Sequence, residues 1–201
     1  MYVLVFFAVL AFTLQMRNSL EQRRRVLLLG HFLRRYQIEA LMQNLVDGYL
    51  RALSESDAER RNALWTVLDH TETQLLRQVQ HLIADMGEAD PRQWQASTFG
   101  LGLPLATQWA PDWTFDLRKL LRVHADGMAS VMANQEGLSQ RDRAYRLCAE
   151  LLLLQHSCHW YCKSRWVASA RMFARHKTHY AQLLSAVSPA TRASYARLTG
   201  I

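Results

Sequence analysis

Apolar positions in this chain follow two patterns, an unbroken leading run and, after it, stripes that repeat every three and four residues. The run is Tyr2–Leu14 (YVLVFFAVLAFTL), which carries no charge. Gln15, Met16 and Arg17 follow it, and then the triplet Arg23, Arg24 and Arg25. From Glu21 to Leu53 the spacing predicts a long amphipathic helix, with Val26, Leu29, Leu33 and Tyr36 on one face. Ile38, Met42, Leu45 and Tyr49 continue it on a slightly rotated face. Ser54–Asp57 interrupts the pattern, and Ser56 with Glu59 forms a capping box for the next helix.

A second helix is expected over Asp57–Met86, on the stripe Trp65, Leu68, Glu72, Leu75, Val79, Leu82 and Met86, closed by Gly87 and Pro91. A third is expected over Asp112–Gln135, with Leu117, Leu120, Leu121, His124, Met128 and Val131 turned inward and Gly137 beyond its end. Ser139 and Asp142 then open the longest expected helix, Gln140–Val187. Its stripe runs from Leu152 through His159, Cys162, Trp166, Phe173, His176 and Tyr180 to Val187. Ser188 and Pro189 supply the N-cap and first residue of a short terminal helix. No strand-like alternation and no internal repeat interrupts the series.

These elements predict an all-α protein. Residues 1–20 form a membrane anchor that continues into residues 21–201, an antiparallel bundle of four main helices with a long crossover at 87–113. Pro91, Pro104, Pro111, Gly100 and Gly102 forbid a long helix in the crossover, while its tryptophans are too apolar for a loose linker. Trp94, Trp109 and Trp113 therefore either pack over the bundle end or face a membrane interface or partner.

Charge sharpens the picture of the anchor. The net charge of +7 is blocked along the chain: residues 1–35 hold six Arg and one Glu, residues 36–140 are net acidic, and residues 141–180 are net basic again. Arg17, Arg23, Arg24 and Arg25 sit where anionic headgroups would lie, so the positive-inside rule places the bulk of the chain in the cytoplasm. The uncharged run is short, since its helix reaches roughly 20 Å against a hydrocarbon core of about 30 Å. Lys163, Arg165, Arg171 and Arg175, interleaved with aromatics, form a second basic surface suited to anionic lipid or an acidic protein. Nucleic acid is the weaker choice, because no recognised binding module accompanies the charge.

Catalytic signatures are missing: there is no phosphate loop, no G-x-S-x-G and no H-E-x-x-H. Cys148, Cys158 and Cys162 share one expected helix, which disfavours disulfides among them. Cys158, His159 and Cys162 fall on one face and, with His124 or His176 from a neighbouring stripe, make a candidate zinc or haem site. The bland reading of the same residues is core thiols beside a hydrogen-bonded histidine. The expected function is a non-catalytic, membrane-anchored accessory or scaffold subunit with no cofactor, whose partners are membrane lipid, other subunits or further copies of itself. The alternatives are a haem- or metal-binding bundle protein, and an enzyme acting on lipid or another membrane substrate.

Overall fold

A computed structural model of the protein describes residues 2–101 and 109–201. The chain is all-α. Eight helices lie among the described residues: α1 (Tyr2–Leu33), α2 (Ile38–Ser54), α3 (Ala58–Asp85), α4 (Leu117–Ala133), α5 (Gln140–Cys162), α6 (Arg165–His176), α7 (Tyr180–Ala186) and α8 (Pro189–Thr199). The anchor and the first body segment are one helix, as expected, but that helix ends at Leu33 instead of running to Leu53. The rotation of the apolar face near Tyr36 is resolved by a turn. Arg34 donates to the Gly30 carbonyl and Tyr36 to that of Leu33. The turn is then pinned to α3, because the Gln37 N–H donates to Gln78 Oε1 at 2.7 Å and the Tyr36 hydroxyl to Asp85 at 2.7 Å.

α2 returns beside α3 in the opposite direction. Gln37 meets Gln78 at one end, while farther along Gly48 packs on Leu68 and the Tyr49 hydroxyl bonds Glu72. Asp57, not Ser56, caps α3, accepting from the Arg60 N–H at 2.9 Å. α4 and α5 pair the same way, with His124 against Ser157 and Gly127 against Glu150. The core shared by these helices includes Leu45, Leu75, Leu120, Leu121, Leu153 and Trp160, all with essentially no exposed surface.

The crossover is better ordered than its composition suggests. Two 3₁₀ turns, Met86–Glu88 and Pro91–Trp94, lead into β1 (Gln95–Ser97), which pairs antiparallel with β2 (Thr114–Asp116). The register sets Gln95 opposite Asp116 and Ser97 opposite Thr114. This ribbon corrects the expectation of no strand, and three residues a side are too few to show alternation. Its second strand takes the place of the first turn of the helix expected from Asp112, so α4 begins only at Leu117. Gly102 and Pro104, part of the expected crossover, lie outside the described residues.

The helix expected over Gln140–Val187 is three helices. Ser164 starts α6, accepting from the Val167 N–H, and Lys177 ends it in the left-handed region at φ 53°. α6 folds back along α5 and packs through Ala168 and Met172, so Trp166 and Phe173 of the expected inner stripe face outward. His156 on α5 consequently meets Ser169 on α6 at 3.1 Å. Ser139 and Ser188 cap α5 and α8 as expected.

Candidate membrane-facing end and buried polar groups

Among the described residues, no element of the body packs over the first half of α1. Every residue from Tyr2 to Arg17 is exposed, and the first buried residue of the helix is Arg25. Leu29 and Phe32 then enter the core. The helix is long and apolar enough to cross a membrane. Its continuity removes the shortfall in length expected from Tyr2–Leu14, because Met16 and Leu20 extend the apolar surface and Arg17 is the one charge before Glu21. At 1.5 Å per residue, Tyr2–Leu20 spans about 28 Å.

Where α1 meets the body, basic and aromatic side chains collect. α1 and α5 run in opposite directions, so the end of α5 lies beside Gln22 and Arg25. Lys163 Nζ donates to Gln22 Oε1 at 3.2 Å, and the Arg25 guanidinium covers the Tyr161 ring at 5.7 Å while pairing with Glu21. Arg24, Arg25 and Arg92 line a hollow of about 440 Å³ together with Glu21, Gln93 and Tyr161. The crossover reaches the same end. The Trp166 N–H donates to the Gly100 carbonyl at 3.1 Å, and the indole lies so close over Gly100 that no Cβ fits there. Trp113 packs on Phe99 with ring centres 4.4 Å apart.

Of the three crossover tryptophans, Trp109 (81% exposed) and Trp113 (55%) face outward. Trp94 does not. It is fully buried between Phe32 and Tyr161, and its Nε1 donates to the Met86 carbonyl at 3.0 Å, which corrects its expected place on the surface. Trp166 (57% exposed) joins the outward group instead. Arg25 is likewise drawn into the body, whereas Arg17, Arg23 and Arg24 remain exposed. Arg165 stacks over Trp160 at 5.7 Å. Arg171 and Arg175 line a separate hollow of about 320 Å³ with His159 and His176, between α5 and α6.

The candidate metal ligands are dispersed. Among the described residues no group of three or more His, Cys, Asp or Glu side chains is placed to hold a metal ion. Cys158, His159 and Cys162 do share an apolar groove of about 220 Å³ between α1, α2 and α5, lined also by Leu29, Met42 and Glu39. The cysteines are free. Burial pushes the Cys162 thiol up to about 11 and the Cys158 thiol higher, so neither is poised as a thiolate. Burial, with Arg171 and Arg175 nearby, lowers the His159 pKa, and burial with Arg175 lowers that of His176. His124 lies away from the groove, its Nε2 2.9 Å from Ser157 and its ring beside Tyr195. Burial lowers its pKa to about 3.

The polar groups that do assemble are largely ones the sequence pattern concealed. Glu72 receives the Tyr49 hydroxyl at 2.6 Å and Arg143 at 2.9 Å, and Arg143 also binds Asp69. Burial raises the Glu72 pKa while Tyr49 and Arg143 draw it back. Glu150 Oε1 accepts from the Ser188 N–H at 3.1 Å, and with Thr191 it fills the space where a Cβ on Gly127 would stand. His156 stacks on Tyr180 at 4.5 Å. Among the described residues there are two Ser–His contacts, His124–Ser157 and His156–Ser169, and in both the imidazole Nδ1 is buried with no partner among those residues. Ser157 moreover donates to the Leu153 carbonyl and has no exposed surface. Neither contact is the base-oriented, accessible nucleophile that acyl transfer needs. No family model, no curated protein and no solved structure matches the chain.

Proposed function

We propose that the protein is a non-catalytic accessory or scaffold subunit, held at a membrane by α1 and presenting its helical body on the cytoplasmic side. The observation that carries this reading is the contrast along α1 itself: the helix is continuous, yet its apolar half up to Leu20 is wholly outside the core and only its second half packs. Apolar surface on that scale is stabilised by hydrocarbon, at about 25 cal/mol per Å² removed from water. With Tyr2–Leu20 spanning, Glu21–Arg25 fall in the headgroup layer and the arginine-rich flank sets the orientation.

α2, α3, α4 and α5 act as the four main helices of the body, with α6–α8 and the ribbon closing its sides and one end. The polar networks rigidify that body rather than perform chemistry. Partner subunits or further copies of the chain bind its faces.

The test is fractionation of the native chain followed by purification in mild detergent. Expected are a sediment resistant to alkaline carbonate, protection of only the extreme N-terminus from externally added protease on inverted vesicles, and stoichiometric co-purification of another polypeptide or a homo-oligomer. A monomer that stays in the supernatant without detergent overturns the proposal.

A further inference from the structure

We propose that the end of the body from which α1 emerges is itself a membrane-docking surface, in which Trp109, Trp113 and Trp166 enter the bilayer interface while Arg24, Arg92 and Lys163 hold anionic lipid headgroups. This rests on α1 being a membrane span, and it adds a second contact: the body lies seated on the lipid instead of hanging from a single helix.

The placement follows from contacts that fix levels along α1. Gln22 is two residues past Leu20, and Lys163 at the tip between α5 and α6 bonds it directly. Trp166 follows Lys163 and is tied to the crossover by its hydrogen bond to Gly100. Gly100 in turn neighbours Phe99, on which Trp113 packs. β1 and β2 both have their crossover ends here, since Thr98 donates to the Trp113 carbonyl at 2.9 Å. The outward-facing indoles Trp113 and Trp166 are therefore on the side where the apolar half of α1 leaves, and Trp109 adjoins them, since its neighbour Ala110 accepts from the Trp113 N–H at 3.0 Å. The other three, Trp65, Trp94 and Trp160, are buried in the core.

Exposed indoles are costly in water and favoured at the headgroup level, where the ring is half immersed and its N–H stays wet. Leu101, 67% exposed, adds apolar surface beside them. The charge at this end fits the same partner. Arg24 and Arg92, which make no ion pair among the described residues, face the hollow beside α1, and the exposed Arg23 adjoins Arg24 on the helix. The acids near the hollow are Glu21, paired with Arg25, Asp116, paired with Arg118, and Asp90, which accepts from the Arg92 N–H. Juxtamembrane cations are drawn to an anionic surface. Hydrophobic insertion and headgroup attraction thus act on the same few side chains, and together they exclude a neutral protein surface as the better fit.

The chain offers a clean readout, because α1 contains no tryptophan and all six lie in the body. The full chain is reconstituted into phosphatidylcholine vesicles carrying brominated acyl chains, with and without phosphatidylserine. Bromine quenches indole only at close range, so quenching reports lipid contact by the body, while flotation of the vesicles reports anchoring by α1. Expected is quenching that is stronger with bromines near the headgroup end of the chain than near the methyl end. It falls by roughly half or more in Trp109→Phe/Trp113→Phe/Trp166→Phe, stays unchanged in the fraction that Trp94→Phe removes, and strengthens with phosphatidylserine. The exposed single substitution Trp109→Phe gives the same sign without disturbing packing. A floated chain with unquenched tryptophan overturns the docking and leaves the anchor standing. Failure to float overturns both. Quenching indifferent to phosphatidylserine, or unchanged in Arg24→Gln/Lys163→Gln, overturns the headgroup half of the proposal.

Discussion

The apolar half of α1 and the interior of the body break the usual partition of side chains in opposite ways. Phe6, Leu10 and Phe12 lie outside with nothing against them, while Glu72, Glu150, His124 and His156 lie inside. The difference is where each group finds its partner. Each of these buried polar groups finds at least one partner within the chain: Tyr49 and Arg143 serve Glu72, Ser188 serves one oxygen of Glu150, Ser157 serves one ring nitrogen of His124, and Ser169 one of His156. The leading apolar residues find no counterpart among the other helices, so their stabilisation has to come from outside the molecule.

The comparison breaks most sharply if the two regions turn out to depend on each other. Deleting residues 2–20 is expected to move the protein from the membrane fraction to the supernatant at high salt, where the body's own attraction to headgroups is screened. The thermal unfolding of the body should stay within a few degrees of the full chain, because none of those residues is buried. Differential scanning calorimetry of the soluble form checks this. Loss of the cooperative transition would show that the tip of α1 is structural. Within the body, Arg143→Met leaves the Glu72 carboxylate and Tyr49 hydroxyl without their cation, in a site where Glu72 has 2% of its surface exposed. Breaking a buried pair on one side costs about 3–5 kcal/mol. Urea denaturation should show that loss, and Arg143→Met/Glu72→Leu should recover part of it, since no buried charge is then left unpaired, Asp69 being exposed, although the Tyr49 hydroxyl loses its acceptor.

Periodicity made the packed faces legible, and for a stated reason. Stripes such as Leu68, Leu75, Val79 and Leu82 report which side of a helix is covered whatever covers it, and all four are buried. The same insensitivity hid the reversals. The three-and-four spacing runs on in the sequence across Lys163–Ser164 and Lys177–His179, yet on α6 the buried residues are Ala168 and Met172, while Trp166 and Phe173 of that stripe are exposed. The signals for those breaks were local: Ser164 is an N-cap and Lys177 adopts positive φ. The ribbon left still less trace, being held by its ends and by Trp160, whose Nε1 donates to the Ser97 carbonyl. Of the candidate site, the basic and tryptophan-rich segments were visible as composition. That Trp166 belongs with Trp113, and that Trp94 does not, depends on which strand runs toward the emerging end of α1. His156, at the head of the His156–Cys162 run, is not placed in the core by the pattern because it stands one position off the stripe, whereas α6 and α7 close over it.

A smaller effect tests whether the buried histidines are satisfied as neutral groups. Burial holds His124 and His156 at about 3, below the usual 6.5 of an unfolded histidine. Below pH 6.5 the unfolded chain therefore binds more protons than the native one. The stability each neutral histidine contributes is fully present above that pH and is lost as the pH falls toward 3. Between pH 7 and 5 the loss is about 2 kcal/mol per histidine. Glu72 and Glu150, whose pKa values are raised by burial, act with the opposite sign above their unfolded values. The informative quantity is therefore a difference: His124→Gln should flatten the fall in urea midpoint between pH 7 and 5 relative to the native chain. A parallel fall in both would mean that His124 is already charged or free to leave its site.

The finest contrast between the two regions is a methyl group. Gly30, near the end of α1, has nothing within 4 Å of the place a Cβ would take. Alanine there should stabilise the helix by up to about 1 kcal/mol, through lower backbone entropy in the unfolded chain. Gly48 on α2 sits under Leu68, whose Cδ2 occupies the Cβ position. Alanine at Gly48 gains the same helical preference, but it must displace a side chain that is 5% exposed and packed between α2 and α3. Overpacking of this kind costs about 1–3 kcal/mol. The flexible end of Leu68 takes up part of the strain, so a net loss of about 1 kcal/mol is expected. Thermal midpoints of Gly30→Ala and Gly48→Ala should thus move in opposite directions, and a shared sign would mean that α2 and α3 pack no more closely than the exposed rim of α1.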